Sequence, residues 1–172
     1  YNVAKIANDF KIQRFILIST DKAVKPKNIM GASKRLSEII IHLISKNSST
    51  IFSIVRFGNV FGSSGSVYPI FKKQIFEKKK INLTSKEVER YFMTINEAVS
   101  LVIQSSTYDL QGKTYILNMG KPIKIYDLAL SMIKNAKLTI KDKNNLNGDV
   151  EINITGLNKG EKISEELFLG KG

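Results

Sequence analysis

The 172-residue sequence has no cysteine and only one histidine. Without cysteine there are no disulfides and no thiolate metal sites, and a lone imidazole cannot build a histidine-based one, so no metal is expected. The lack of thiols fits a reducing compartment. No run of about 18 or more apolar residues occurs, so nothing here reads as a membrane-spanning helix. Tyr1 to Phe10 mixes apolar residues with lysine and aspartate and is unlike a signal peptide. What is present is a 42% hydrophobic composition, enough for a core, in a length that suits one domain of ordinary size.

Charge is one-sided: 27 basic against 15 acidic residues give a net +12. A basic face can bind RNA or an acidic lipid surface. The alternative is a solvated lysine surface around an anionic nucleotide substrate. The densest runs, Lys72–Lys73, Lys78–Lys80 and the stretch from Lys137 to Lys143, are scattered and carry no interleaved aromatics for stacking bases. The solvated surface is therefore the favoured reading, and no nucleic-acid partner is expected.

Along the chain, Val3, Ile6 and Phe10, with Ala4 and Ala7 between them, read as a helix already under way without an N-cap, so residues upstream of Tyr1 are expected. Arg14 to Ser19 is a nearly continuous apolar run, read as a strand buried on both faces of a parallel sheet. After the polar loop Thr20 to Lys27, a helix is expected from Ile29 to about Lys46, N-capped by Asn28, with Leu36, Ile39, Ile40, Leu43 and Ile44 forming its apolar face. Thr50 to Phe57 reads as a second buried strand, giving parallel strands joined by crossover helices. The Gly/Ser-rich loop Gly58 to Ser66 follows at the sheet edge where open α/β folds bind ligands. Further on, helices are expected at Tyr68–Lys79, Thr94–Ser105 (with Thr94 and Glu97 spaced as a capping box), Ile125–Ala136 and Glu161–Phe168. Strands are expected in INLT, KTYILNMG and DVEINITG, and a loop at Asn144–Gly148.

The stretch from Ser19 to Arg35 is the candidate for chemistry, with a solvated turn as the alternative reading. A buried strand ends and at once presents Ser19, Thr20, Asp21 and Lys22. Acid and base groups there are costly unless solvated or used. Met30 and Lys34, four apart, share one face at the start of the following helix.

This stretch, STDKAVKPKNIMGASKR, resembles the active-site segment of extended short-chain dehydrogenases, in which a Ser/Thr follows the strand and a Tyr-x-x-x-Lys pair opens the next helix. Within that family it is similar to the polysaccharide-biosynthesis nucleotide-sugar 4,6-dehydratases, some of them membrane-anchored. RFGNVFGSSGSVYPIF from Arg56, RYFMTINEA from Arg90 and GEKISEEL from Gly160 carry the same resemblance over almost the whole chain. It implies an α/β fold. Residues 1–66 would be the C-terminal half of a Rossmann-like, doubly wound NAD(P)-binding domain, and residues 67–172 mostly a smaller α+β substrate-binding region.

The implied reaction removes water from a UDP-sugar, UDP-N-acetylglucosamine above all, giving the 4-keto-6-deoxy sugar for bacterial surface polysaccharide. NAD or NADP takes hydride from C4 and returns it to C6. By this resemblance Lys22 is the C5 base and Asp21 the C6 acid. Each role needs a shifted pKa, so their side chains are expected to diverge. Ser19, Met30 and Lys34 fall to the cofactor, Lys34 on the nicotinamide ribose. Asn59, Ser66, Arg90, Lys159 and Glu161 fall to the substrate. His42, Met93 and Met119 are read as structural.

Three departures stand out. Met30 replaces the usual tyrosine, as in one branch of these dehydratases, which leaves Thr20, Asp21 or a water to take the C4 hydroxyl proton. Asn158–Lys162 replaces the usual Arg-Pro-Gly-Glu-Lys, so a guanidinium clamp gives way to the point charge of Lys159. The Gly-rich dinucleotide fingerprint is not in the sequence, so these residues alone are expected to be inactive. A homo-oligomer in the cytoplasm is expected, with any membrane anchor upstream of Tyr1. Two rivals remain: a UDP-sugar 4-epimerase of the same fold, and a non-catalytic basic binding module.

Overall fold

The computed structural model describes residues 1–77 and 80–168. Lys78 and Lys79, which belong to the expected third helix and to a lysine run, lie outside the described residues. Among the described residues no helix is long and apolar enough to cross a membrane.

The chain forms two compact units. They alternate along the chain: among the described residues the first holds Tyr1–Gly58, Ile95–Met119 and residues 165–168, the second Asn59–Thr94 and Gly120–Ser164. The first begins with α1 (Asn2–Asp9), β1 (Arg14–Thr20), a 3-10 turn (Asp21–Ala23), α2 (Ile29–Ser45) and β2 (Ile51–Phe57). It resumes with α4 (Ile95–Ser105) and β7 (Lys113–Ile116). Its sheet is parallel with β2 in the middle, in the order β1-β2-β7. Right-handed crossovers through helices are what parallel neighbours require, and α2 supplies the first.

β2 meets the expectation of a buried strand: Phe52, Ile54 and Val55 are fully buried. β1 does not. Ile18 is 41% exposed and most of the strand only half-buried, because β1 is at one edge of the described sheet.

The helix faces also differ from expectation. Asn28 does cap α2, its side-chain oxygen accepting from the Gly31 amide at 2.8 Å. Yet α2 buries Gly31, Glu38, Ile41 and Ser45, with Ile44 packed alongside, while Leu36, Ile39 and Leu43 are exposed. α1 likewise buries Ala4 and Ala7 and exposes Val3 and Ile6, and Phe10 at its C-cap is exposed as well. Small residues let these helices lie close to the sheet over Phe52 and Ile54.

The second unit contains β3 (Asn59–Val60), α3 (Val67–Phe76), β4 (Ile81–Leu83), β5 (Glu89–Arg90), β6 (Phe92–Met93), β8 (Ile123–Lys124), α5 (Ile125–Asn135), β9 (Ile140–Lys141) and β10 (Val150–Ile154). A parallel sheet ordered β4-β10-β9 packs on α3 and α5 through Phe71, Ile75, Ile81, Leu83, Ile133 and Val150. β3 pairs with β6 in parallel and β5 with β8 antiparallel. The Asn144–Gly148 loop is a turn pinned by Asp142, whose Oδ1 accepts from the Asn144 and Asn145 amides.

The helix expected at Glu161–Phe168 is absent. Arg90 explains why: its guanidinium donates to the Lys162 and Ile163 carbonyls, at 2.8 and 3.0 Å. A helix would need those carbonyls for itself.

Candidate active site

The first unit gathers six of the expected site residues at the C-terminal end of β1. Thr20 caps the 3-10 turn, and its hydroxyl donates to Asp21 Oδ1 at 2.8 Å. Asp21 is 1% exposed and also accepts from Lys22 Nζ at 3.0 Å. The expected divergence of Asp21 and Lys22 is therefore wrong. A fully buried carboxylate needs a counter-charge, and the adjacent ammonium supplies it. The other carboxylate oxygen, Oδ2, is buried with no hydrogen-bond partner.

Lys34 sits one turn beyond half-exposed Met30 on α2 and donates to the Ile18 carbonyl at 3.1 Å. That engages one of the three donors of an ammonium. Gly31 brings the two elements together: a Cβ on it would lie 2.4 Å from the Lys22 carbonyl oxygen. Only glycine lets the helix start this close to the turn.

Ser19, assigned to the cofactor, is turned inward toward α2. It is 4% exposed and its hydroxyl donates to Glu38 Oε1 at 2.7 Å. Glu38, buried entirely, also accepts from Arg56 Nε (2.7 Å) and Nη2 (2.6 Å) and from Arg35 Nη1 (3.0 Å). Burial pushes its carboxyl pKa up, but the hydrogen bonds from Arg56, Ser19 and Arg35 outweigh this and hold it below the ordinary glutamate value. Sequence reasoning missed Gly31, Glu38 and Arg56. One signal was available: Arg56 is a lone charge in the otherwise apolar strand IFSIVRF, and a buried arginine requires an acidic partner.

His42, read as structural, lies 3.3 Å from the Thr114 hydroxyl through Nε2. Met119 accepts from the Gly58 amide through Sδ at 2.8 Å, and Met93 is buried.

The second unit has a cavity of about 490 Å³ lined by Asn59, Thr84, Arg90, Asn158 and Glu161 among others. That is within the size range of small-molecule sites. Three of the five residues expected to meet substrate line it together: Asn59, Arg90 and Glu161. Arg90 is 8% exposed and committed to carbonyls, with Glu161 Oε1 3.7 Å away. Glu161 accepts from the Thr84 hydroxyl at 2.7 Å and from the Asn158 amide at 3.1 Å. Both side chains thus shape the wall as much as they offer charge. Ser66 is at the N-cap of α3, its hydroxyl oxygen buried with no partner. Lys159 is exposed and is not among the residues lining the cavity.

A model of the family described as polysaccharide biosynthesis protein matches residues 1–171. The chain belongs to that family. It is 46% identical over 168 residues to the capsular polysaccharide biosynthesis protein CapD of Staphylococcus aureus, covering 97% of this chain and 27% of that protein. It is 34% identical over 170 residues to a UDP-glucose 4-epimerase of Rickettsia bellii, covering 96% of this chain and 46% of the epimerase. A crystal structure of Pen from Bacillus thuringiensis superposes with a TM-score of 0.86 at 37% identity, covering 98% of this chain and 50% of that one. The chain thus spans half or less of the length of these relatives.

Proposed function

We propose that this polysaccharide biosynthesis chain carries the catalytic segment of a nucleotide-sugar 4,6-dehydratase. The substrate is UDP-N-acetylglucosamine and the product its 4-keto-6-deoxy derivative. The observation that carries the reading is the pairing of buried Asp21 with half-buried Lys22 beside Thr20 at the end of β1, 3.0 Å apart. Elimination across C5 and C6 needs one acid and one base. An epimerase needs no such pair.

The direct contact is compatible with those roles. Moving one proton along the 3.0 Å hydrogen bond turns the ion pair into a carboxylic acid and a neutral amine without changing net charge. The amine of Lys22 takes the C5 proton, and the acid of Asp21 gives its proton to the C6 hydroxyl, which leaves as water. The ion pair is then restored. Thr20, bonded to the same carboxylate oxygen, would pass the C4 hydroxyl proton out to solvent water, since the Asp21 acid is already protonated and Met30 cannot take it.

The chemistry that a bound NAD or NADP would supply is hydride transfer out of C4 and back to C6, and the Lys22 ammonium would give C5 its proton as the hydride returns. Lys34 would hold its ribose, and the unpartnered Asp21 Oδ2 offers an acceptor to a bound hydroxyl. In the second unit, the cavity with Asn59, Arg90 and Glu161 suits the nucleotide portion, and Ser66 with the α3 amides suits phosphate.

Oligomerisation is part of the same reading. Val3 and Ile6 on α1 with Phe10 at its C-cap, and Leu36, Ile39 and Leu43 on α2, repeat at three-four spacing and are all exposed. Two neighbouring stripes of this kind fit a second copy of themselves across a two-fold axis.

The test is incubation of the whole protein with UDP-N-acetylglucosamine in deuterated water. A product lighter by one water and carrying deuterium at C5 supports dehydration. A product of unchanged mass supports the 4-epimerase. Turnover that survives the double change Asp21→Asn with Lys22→Met rules the mechanism out.

A further inference from the structure

The Glu38 cluster is larger than packing requires. Elsewhere α1 and α2 meet the sheet through Ala4, Ala7 and Ile41 over Phe52 and Ile54. Only toward the C-terminal ends of β1 and β2, where the Asp21 turn begins, does the contact become a buried carboxylate between two guanidinium groups and a hydroxyl. Buried ion pairs of this kind are often no more stabilising than apolar residues of similar volume, so stability alone explains the cluster poorly.

Its geometry explains more. Ser19 and Arg56 are direct partners in the β1–β2 register, and both reach Glu38. Lys34, one turn earlier on α2, holds the carbonyl of Ile18. Consecutive residues of β1 are thus held by consecutive turns of α2. Side chains alternate across a strand, so fixing Ser19 toward α2 fixes Thr20 toward the other face. The Asp21–Ala23 turn starts from that residue.

We propose that Glu38 is a positioning residue of this site: backed by Arg56, it holds the end of β1 through the Ser19 hydroxyl and so sets the places of Thr20, Asp21 and Lys22. The proposal rests on the dehydratase reading for its kinetic effect, but not for its structural one. Glu38 touches no substrate, being fully buried. Ser19→Ala cuts only the link to β1 and leaves the Glu38–Arg56 pair intact. Glu38→Gln keeps an acceptor and removes the charge.

The experiment uses the whole protein with its cofactor and reads four quantities: kcat, KM, bound cofactor, and amide exchange at Lys22 and Val24. The Val24 amide is bonded to the Asp21 carbonyl, so it reports on the turn. Both variants are expected to lower kcat about 10- to 100-fold, the size of effect that small misplacement of reacting groups produces. KM should stay within about threefold and cofactor content should be unchanged. Exchange at Lys22 and Val24 should accelerate about tenfold or more as the turn loosens.

Ser19→Ala that keeps kcat and lowers only the melting temperature overturns the proposal, leaving the cluster a stabilising feature. So does loss of cofactor in Ser19→Ala but not in Glu38→Gln, which would make Ser19 a cofactor ligand. If Glu38→Gln does not fold, Ser19→Ala decides, and unchanged exchange at the two amides refutes the idea. A wild-type protein inert toward UDP-N-acetylglucosamine sinks the dehydratase reading alone, since the exchange comparison needs no substrate.

Discussion

The two units solve the packing of helix on sheet in opposite ways. The second buries large apolar side chains: Ile133 of α5 is 1% exposed, and Phe71 of α3 is 2% exposed. The first buries alanines, a single large apolar side chain of α2 (Ile41) and a carboxylate from its helices, and leaves Val3, Ile6, Phe10, Leu36, Ile39 and Leu43 exposed. The second unit is therefore held by burial of area. The first is held by close approach and by polar contacts of fixed geometry, and its apolar seam has no partner among the described residues. Hydrophobic burial is tolerant of small shifts, while a hydrogen-bonded ion cluster is not. The unit that carries Asp21 and Lys22 is the one built from the less tolerant kind of contact.

That contrast can be broken by mutation. Arg56→Met leaves the Glu38 carboxylate buried without its main partner and should cost about 3–5 kcal/mol in denaturant unfolding. The double change Glu38→Leu with Arg56→Met should recover much of that stability and leave turnover low; a double variant as unstable as Arg56→Met alone would mean the cluster is held by packing. Ile133→Ala in the second unit should cost about 2–4 kcal/mol through cavity formation, with no specific effect on amide exchange at Lys22. Gly31→Ala drives a methyl against the Lys22 carbonyl and should cost about 1–3 kcal/mol, with a loss of turnover out of proportion to the loss of stability. Full activity in that variant would show that the turn tolerates displacement.

Acid sharpens the comparison further. The folded-state pKa of Glu38 is depressed, so its contribution is present above the ordinary glutamate value of 4.5 and is lost as pH falls below it. The wild-type protein should lose more stability between about pH 6 and about pH 3 than the Glu38→Leu with Arg56→Met protein, as read by urea midpoints. Equal losses would remove Glu38 from the account. The smallest effect on folding is expected at the seam. Leu36→Lys with Leu43→Lys should change monomer stability by no more than about 0.5 kcal/mol. Sedimentation should nevertheless shift toward the monomer, and an unaltered oligomer would place the self-association face elsewhere.

The sequence alone determined the order of the longer helices and strands from α1 to α5, the parallel β1–β2 pair and the segment that holds Thr20, Asp21, Lys22, Met30 and Lys34. Those follow from periodicity, the Asn28 cap and motif spacing, which are local along the chain. The tertiary structure decided what depends on contacts between distant residues. It turned Ser19 toward Glu38, joined Glu38 to Arg56, paired Asp21 with Lys22 instead of parting them, and unmade the helix at Glu161–Phe168 by giving its carbonyls to Arg90. It also chose which face of α1 and α2 is inward. Periodicity says that a helix has an apolar side, but contact with the sheet says which side is inward: the alanine side for α1, and for α2 the side that carries Gly31, Glu38, Ile41 and Ser45.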